Sequence, residues 1–333
     1  MFYFCPMNAR FFTPPIPNGW FQVAYSDEIK PGDVKSLKYF GDDLVIWRSE
    51  DGELSVLDAF CPHLGAHLGH GGQVKGNSIE CPFHAWQFGT DGKCTAVPYA
   101  EHVPRKARLP KWRTQEVANM VMVWHHAEGE PPNFEIPDEI AEWGSKAGVR
   151  NEEWTEFTER QWTIRTSNQE MAENAVDTAH FHYLHGTTNM PKSEASAEGA
   201  ILRVHSDAGM ETPRGTVEGS IESLNYGFGL AIVRFKGIVE TLNVATMTPI
   251  DADHIHLRFN FCVKQTAGAE MARGVGKAFV AEVTRQLEQD IPIWENKVQY
   301  EKPLLCDGDG PIGIFRRWCT QFYCWPDKRQ AAE

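Results

Sequence analysis

The sequence predicts an α+β protein: an N-terminal all-β domain, then a second domain in which an antiparallel sheet meets a long helix. Three observations predict it. From Trp20 to Trp124 the apolar residues come in short β-like runs. Residues 201–264 hold several more such runs with short breaks, among them Ala231–Phe235 and His254–Phe259, the pattern of an antiparallel meander. From Ala267 to about Val298 apolar residues instead return every three or four positions, the signature of one long helix.

The chain has 333 residues, 42% of them hydrophobic and 23% charged, enough for two domains with a substantial core. A formal net charge of −13 excludes nucleic acid and an acidic membrane surface as natural partners. No run approaches eighteen apolar residues, so no transmembrane segment is expected, and MFYFCPMNARFF lacks the basic start of a signal peptide. The expected location is cytoplasmic, with peripheral membrane contact as the variant. Of the eight cysteines, Cys5, Cys94, Cys262, Cys306, Cys319 and Cys324 have no histidine at ligand spacing and read as buried or incidental thiols.

Residues 1–17 are Pro-rich and irregular. Leu44–Trp47 and Leu54–Leu57 flank Ser49-Glu-Asp-Gly52, a hairpin signal. Val117–Trp124 reads as one buried strand closing the first domain, placed at 18–125. Residues 128–149, with Pro131, Pro132 and Pro137, read as a linker to a second domain at 135–325. Trp154–Arg165 is strand-like. Ser167-Asn-Gln-Glu170 has the form of a capping box that starts a helix reaching about Leu184. Asn189–Ala200 reads as an exposed loop.

Two stretches carry chemistry. Cys61-x-His63 and Cys81-x2-His84, seventeen residues apart, each offer one thiolate and one imidazole. That is the donor set of a Rieske [2Fe–2S] cluster, two Cys on one iron and two His on the other. Structural zinc uses the same residue types but groups them by kind, whereas each knuckle here is mixed. His67 and His70 are off-spacing and read as surface residues or as supports behind the ligands. In the second stretch Asn174, Asp177 and His180 recur every three residues and share one helix face. His185 lies about 140° round from His180, so it meets the same metal only if the helix distorts or ends first, and Gly186 is the expected terminator. His182 points away. A facial triad for Fe(II) also needs a carboxylate. Phe279, Val283, Leu287, Asp290 and Trp294 form one apolar stripe with Asp290 in it. A carboxylate facing a core is costly unless metal-bound or paired, so Asp290 is either the third ligand or the partner of a buried Arg or backbone donor.

With C-x-H-x17-C-x2-H at 61–84 and N-x2-D-x2-H-x4-H at 174–185, nearly the whole chain resembles the oxygenase (α) subunits of Rieske non-haem iron oxygenases. Cys61–Ala66, Gly76–His84 and Asp309–Ile312 resemble the steroid branch, the cholesterol 7-desaturases and the 3-ketosteroid 9α-hydroxylase oxygenase components. The resemblance implies a helix-grip catalytic domain, a homotrimer, and metal ligands His180, His185 and Asp290. It implies that Asp177 bridges His84 of a neighbouring subunit to His180, and that Asn174 stands beside the iron. It also implies O2 as co-substrate and NAD(P)H electrons through a separate flavin/ferredoxin reductase. The expected reaction is hydroxylation or desaturation of a sterol or steroid. The alternatives are an aromatic or other small hydrophobic substrate, and a non-enzymatic Rieske electron carrier.

Overall fold

The computed structural model describes residues 10–11, 16–138, 140, 153–187, 190–212, 215–237, 239–265 and 269–324. Cys5, most of the Pro-rich start and residues 139 and 141–149 of the 128–149 linker lie outside them.

The N-terminal unit is all β. Strands β1 (Gly19–Tyr25), β2 (Val34–Tyr39), β3 (Asp42–Arg48) and β4 (Leu54–Asp58) come first. The expected hairpin is β3–β4, with Trp47 opposite Ser55 and a turn closed by the Ser49 N–H on the Glu53 carbonyl. Four short strands follow: β5 (Gln73–Lys75), β6 (Ser78–Glu80), β7 (Gln87–Gly89) and β8 (Cys94–Ala96), in one sheet of order β5-β6-β7-β8. The stretch expected as one closing strand is a hairpin, β9 (Thr114–Val117) and β10 (Met120–His125). Its turn residues Ala118 and Asn119 both have positive φ, the conformation of a two-residue turn between twisted strands. The apolar run VANMVMVW hid that turn because only Asn119 is a usual turn residue.

The second unit is built on a seven-stranded antiparallel sheet. Its strands are β11 (Thr158–Ile164), β12 (Ser193–Glu198), β13 (Ile201–Thr212), β14 (Gly215–Tyr226), β15 (Leu230–Lys236), β16 (Thr241–Pro249) and β17 (Ile255–Val263). The order β11-β17-β16-β15-β14-β13-β12 is the expected meander, with β11 added beside the last strand. Strand β12 replaces the expected loop at 189–200. Its small polar residues, SEASAE, carry no apolar alternation, so the strand is held by its pairing with β13. Helix α3 (Ala269–Asn296) packs Val280, Leu287 and Trp294 against Ala245, Met247 and Phe259 of the sheet.

Strand β16 is buried along its whole length, because both faces of the sheet are covered. Ala245 and Met247 face α3, while Leu242 and Val244 join Trp20, Met122 and Trp124 of the N-terminal unit in a shared core. Polar residues complete that junction. Thr246 Oγ1 donates to Gln22 Oε1 at 2.7 Å, and Tyr25 Oη donates to Asn260 Oδ1 at 2.8 Å. Arg258 Nη2 donates to Tyr39 Oη at 2.6 Å, so Tyr39 donates in turn to His256 Nδ1 at 2.8 Å. That leaves the His256 Nε2–H for Gln161 Oε1 at 3.1 Å.

This chain of bonds needs a neutral His256. Burial, then the nearby Arg258, push its pKa down from 6.5 to about 4. The unfolded chain therefore takes up a proton between these values that the native chain refuses, and stability falls as pH drops from 6.5 towards 4. The melting temperature is expected to be lower at pH 5 than at pH 7, with a smaller drop in His256→Gln; equal drops in a thermal-melt series would contradict the assignment.

Candidate metal centres and substrate cavity

The two mixed knuckles fold alike. In the first, the Cys61 N–H reaches the Ala66 carbonyl at 2.9 Å and the Gly65 N–H returns to the Cys61 carbonyl at 2.9 Å. In the second, Cys81 reaches Trp86 at 2.8 Å and Ala85 returns to Cys81 at 3.0 Å. Gly65 and Ala85 hold the same left-handed backbone, φ 76° and 55°. The His63 and His84 rings stand 4.7 Å apart at the loop tips, and His63 stacks on Trp86 at 4.6 Å. Cys61 and Cys81 are buried behind them, and burial, with Cys81 alongside, pushes the Cys61 thiol up to about 11. Two adjacent buried thiols become ligands only where a cation offsets that cost. One tetrahedral metal would gather all four donors within about 4 Å of one another. Among the described residues, the trio His180, His185 and Asp290 is instead the group whose ligand atoms all lie within 4.8 Å. Donors spread over two loops in pairs suit a two-iron cluster. His67 packs edge-on against Phe60 and accepts the Gly69 N–H at 3.0 Å, apart from the donors.

The second site departs from the expected single helix. There are two short helices, α1 (Asn168–Glu173) and α2 (Ala179–Tyr183). Between them Asn174, Ala175 and Val176 make i→i+3 bonds, a tight turn that breaks the helix. Gly310 sits against that break: a Cβ there would lie 2.0 Å from the Val176 carbonyl oxygen. Only a glycine allows this approach, which sequence periodicity cannot reveal because the two positions are 134 residues apart. Asn174, Asp177 and His180 therefore do not share one continuous helix face.

The capping box is half formed. Ser167 Oγ accepts the Glu170 N–H at 3.2 Å, but the Glu170 carboxylate, fully buried, turns to Lys297 Nζ at 2.6 Å. Glu173 takes a two-pronged bond from Arg316 of helix α4 (Ile312–Cys319) at 2.6 and 2.8 Å. Both acids thus tie α1 to the chain's C-terminal third, an anchor the sequence reading missed because neither lies on a recognised motif.

At its other end α2 stops where expected. Gly186 has φ +73°, its N–H bonds the His182 carbonyl at 3.1 Å, and Thr187 bonds Phe181 at 3.1 Å, the paired bonds of a left-handed helix end. The turn swings His185 towards His180, their rings 5.1 Å apart. His182 points elsewhere and bonds the Thr187 carbonyl. Hydrogen bonds fix both tautomers. His180 Nδ1 donates to the Asp177 carbonyl at 2.7 Å, and His185 Nδ1 donates to Gln289 Oε1 at 3.0 Å. Each ring therefore presents a bare Nε2. Asp290, 7% exposed, brings its carboxylate to within 3.4 Å of His185 Nε2. The nearest group to this buried acid is thus a second bare acceptor, a pairing that a cation between them would match, and no buried Arg of the alternative reading is among its ion pairs in the described residues. Two imidazole nitrogens and one carboxylate fit a facial-triad metal such as Fe(II). Gln289 is a site residue that sequence reasoning missed, since it lies off the apolar stripe.

Burial alone would raise the Asp177 carboxyl, but its hydrogen bonds with His180 outweigh that and hold it below the usual carboxylate range. Asn174 Oδ1 accepts the Trp294 Nε1–H at 3.3 Å. Both Asn174 and the trio border a cavity of ≈200 Å³ between α3 and the sheet, walled by Met171, Phe181, Ala245, Met247, Phe259 and Leu287 among others.

Two family descriptions match this architecture, the Rieske [2Fe–2S] domain over residues 19–112 and the 3-ketosteroid 9α-hydroxylase C-terminal domain over 123–323. The chain belongs to the Rieske oxygenases with a 3-ketosteroid 9α-hydroxylase C-terminal domain. It is a Rieske non-haem iron oxidoreductase, which sets aside the non-enzymatic carrier. It is 36% identical over 330 residues to a 3-ketosteroid-9-alpha-monooxygenase oxygenase component of Rhodococcus rhodochrous, covering 92% of this chain and 82% of that one. It is 32% identical to cholesterol 7-desaturase nvd 1 of Ciona intestinalis, covering 93% and 69%. Its fold matches dicamba monooxygenase (TM-score 0.72, 14% identity, 96% and 100% covered). It also matches an NdmA variant of Pseudomonas putida CBB5 solved with caffeine (TM-score 0.71, 19% identity, 90% and 89% covered). Of the other cysteines, Cys262 and Cys319 are buried and Cys306 is exposed; among the described residues all cysteines are free thiols. No helix among the described residues is long and apolar enough to cross a membrane.

Removing the Arg316 side chain leaves Glu173 buried without its cation, a loss of about 3 kcal/mol for such a pair. Arg316→Met is expected to lower the denaturation midpoint accordingly in urea titration; an unchanged midpoint would show that α4 does not anchor α1.

Proposed function

We propose that this protein hydroxylates or desaturates a steroid or sterol, consuming O2 and electrons from NADH or NADPH supplied through a separate flavin/ferredoxin reductase. The observation that carries the reading is a His–His–carboxylate trio opening onto a mainly apolar cavity, in a chain that also bears the mixed knuckles. Relatives named for 3-ketosteroid and cholesterol chemistry support the substrate class, and the words "oxygenase component" support a separate reductase.

In this reading residues 18–125 receive electrons and 135–325 carry out the reaction. Cys61, His63, Cys81 and His84 hold a [2Fe–2S] cluster, and His180, His185 and Asp290 hold Fe(II). When bound, these groups supply single-electron transfer and activation of O2. The protein's own residues do the rest. Asp177 and Gln289 hold the two imidazoles in the tautomer that leaves Nε2 free. Met171, Phe181, Phe259 and Leu287 keep water from the reacting carbon. Asn174, held by Trp294, orients a group beside the trio. In this reading the enzyme works in the cytoplasm, with peripheral membrane contact as the variant.

Asp177 has a second task in this reading. Its side chain is 37% exposed, so a carboxylate oxygen remains for another subunit. Leu64, Phe83 and Tyr99, all exposed near the cluster loops, suit the matching contact. A homotrimer in which His84 of one copy meets Asp177 of the next would bring metal sites of different copies together.

The cavity volume favours a second reading. Ordinary ligand pockets measure roughly 300–1,000 Å³, and ≈200 Å³ suits a smaller aromatic or hydrophobic substrate. A tetracyclic substrate requires the cavity to widen on binding. Turnover of matched steroid and aromatic panels with a reductase, products read by mass spectrometry, separates the two: steroid products are expected, and aromatic products alone would overturn the reading. Asp177→Ala should keep both metals yet lose turnover by a hundredfold or more (about 2.7 kcal/mol of barrier); turnover near wild type would remove Asp177 from the route between sites.

A further inference from the structure

The cavity is not uniformly apolar. Asn243 from β16 and Ser223 and Asn225 from β14 also line it. The two ends of an amide are ordinarily hard to tell apart, but here backbone groups fix which is which. Asn243 Oδ1 accepts the Asn260 N–H at 3.2 Å, which leaves Nδ2 for the cavity. Asn225 Nδ2 donates to the Leu202 carbonyl at 3.3 Å and to Ser223 Oγ at 3.0 Å. Asn225 thus spends both Nδ2 hydrogens inside the protein, whereas Asn243, 2% exposed, keeps its two without a partner among the described residues. This donor opens on the cavity, so an oxygen of a bound molecule can take the place of water there.

The strand register gives its place. Asn243 lies opposite Val233 and Phe261. Two residues beyond Val233, Phe235 packs on Phe279 of α3, ring centroids 5.1 Å apart. Asp290 is eleven residues further along that helix, about 16 Å. At the other end of β16, the Met247 carbonyl accepts Asn168 Nδ2 from the segment that carries the histidines, at 2.7 Å; four residues of strand separate Met247 from Asn243, about 13 Å. Asn243 and the trio therefore lie towards opposite ends of one cavity. Ser223 is two strands from Asn243, about 10 Å, too far to share one oxygen.

Resting on the steroid reading above, we propose that Asn243 Nδ2 donates a hydrogen bond to a ketone oxygen on the substrate ring remote from the reacting carbon, and so sets which carbon faces His180, His185 and Asp290. A ketone suits the site better than a hydroxyl. Asn243 offers only donors there, and its cross-strand neighbours Val233 and Phe261 offer no side-chain acceptor for a hydroxyl hydrogen.

The test is equilibrium binding of androst-4-en-3-one and androst-4-ene, a pair differing only in the ketone, to the iron-loaded enzyme under anaerobic conditions without reductase. Wild type is expected to prefer the ketone by about tenfold, the scale of one hydrogen bond's net contribution. Asn243→Leu should bring the two affinities to within about threefold. Asn243→Ser, whose shorter side chain leaves its hydroxyl donor out of reach of the ketone, should do the same, with both variants checked for the cluster spectrum and iron content of wild type. A wild type indifferent to the ketone, or either folded variant keeping the full preference, overturns the role of Asn243. If wild type binds neither compound, the steroid reading falls and takes this proposal with it.

Discussion

A carboxylate buried in an apolar helix face is the constraint from which the site follows. Asp290 lies between Leu287 and Trp294 on the side of α3 that meets the sheet, and no lysine or arginine reaches it among the ion pairs of the described residues. Its partner is His185, which arrives only because α2 ends at Gly186 and turns the ring inward. His180 arrives because the chain breaks after α1, where the Gly310 backbone presses on Val176. Two backbone irregularities thus assemble what one straight helix would hold apart. The buried pairs Glu170–Lys297 and Glu173–Arg316 then fix α1 to the chain beyond α3, so trio and cavity wall are set by the same framework.

Both faces of the catalytic sheet are in use. One carries the cavity and α3; the other holds the N-terminal unit through Gln22, Tyr25 and Tyr39. Asn260 touches both, since its side chain meets Tyr25 and its N–H holds Asn243. The orientation of an amide in the cavity wall is therefore braced by the strand that seats the N-terminal unit.

Much of this was legible in the sequence where local chemistry is dense. The mixed Cys/His knuckles, the hairpin at Ser49–Gly52, the long helix α3 and Asp290 in its stripe all follow from spacing over short stretches of chain. Gly186 as terminator was legible for the same reason. The break at Asn174–Thr178 was not, because its cause is a glycine far along the chain. Gln289 stayed hidden because it bonds His185 across 104 positions of sequence. Strand β12 was missed because its pairing partner, not its own residues, makes it a strand. The β9–β10 turn was missed because Ala118 takes a left-handed conformation that its residue type does not advertise.

The central claim is that one chain holds two separate iron sites, a cluster at Cys61/His63/Cys81/His84 and a single iron at His180/His185/Asp290. Iron and acid-labile sulfide, measured together on anaerobically reconstituted wild type and Asp290→Ala, address it most directly. The account predicts about three irons per two sulfides in wild type and about two per two in the variant, the composition of a lone [2Fe–2S] cluster, with the visible cluster spectrum unchanged. Equal iron in both proteins, or loss of sulfide along with iron, would contradict it.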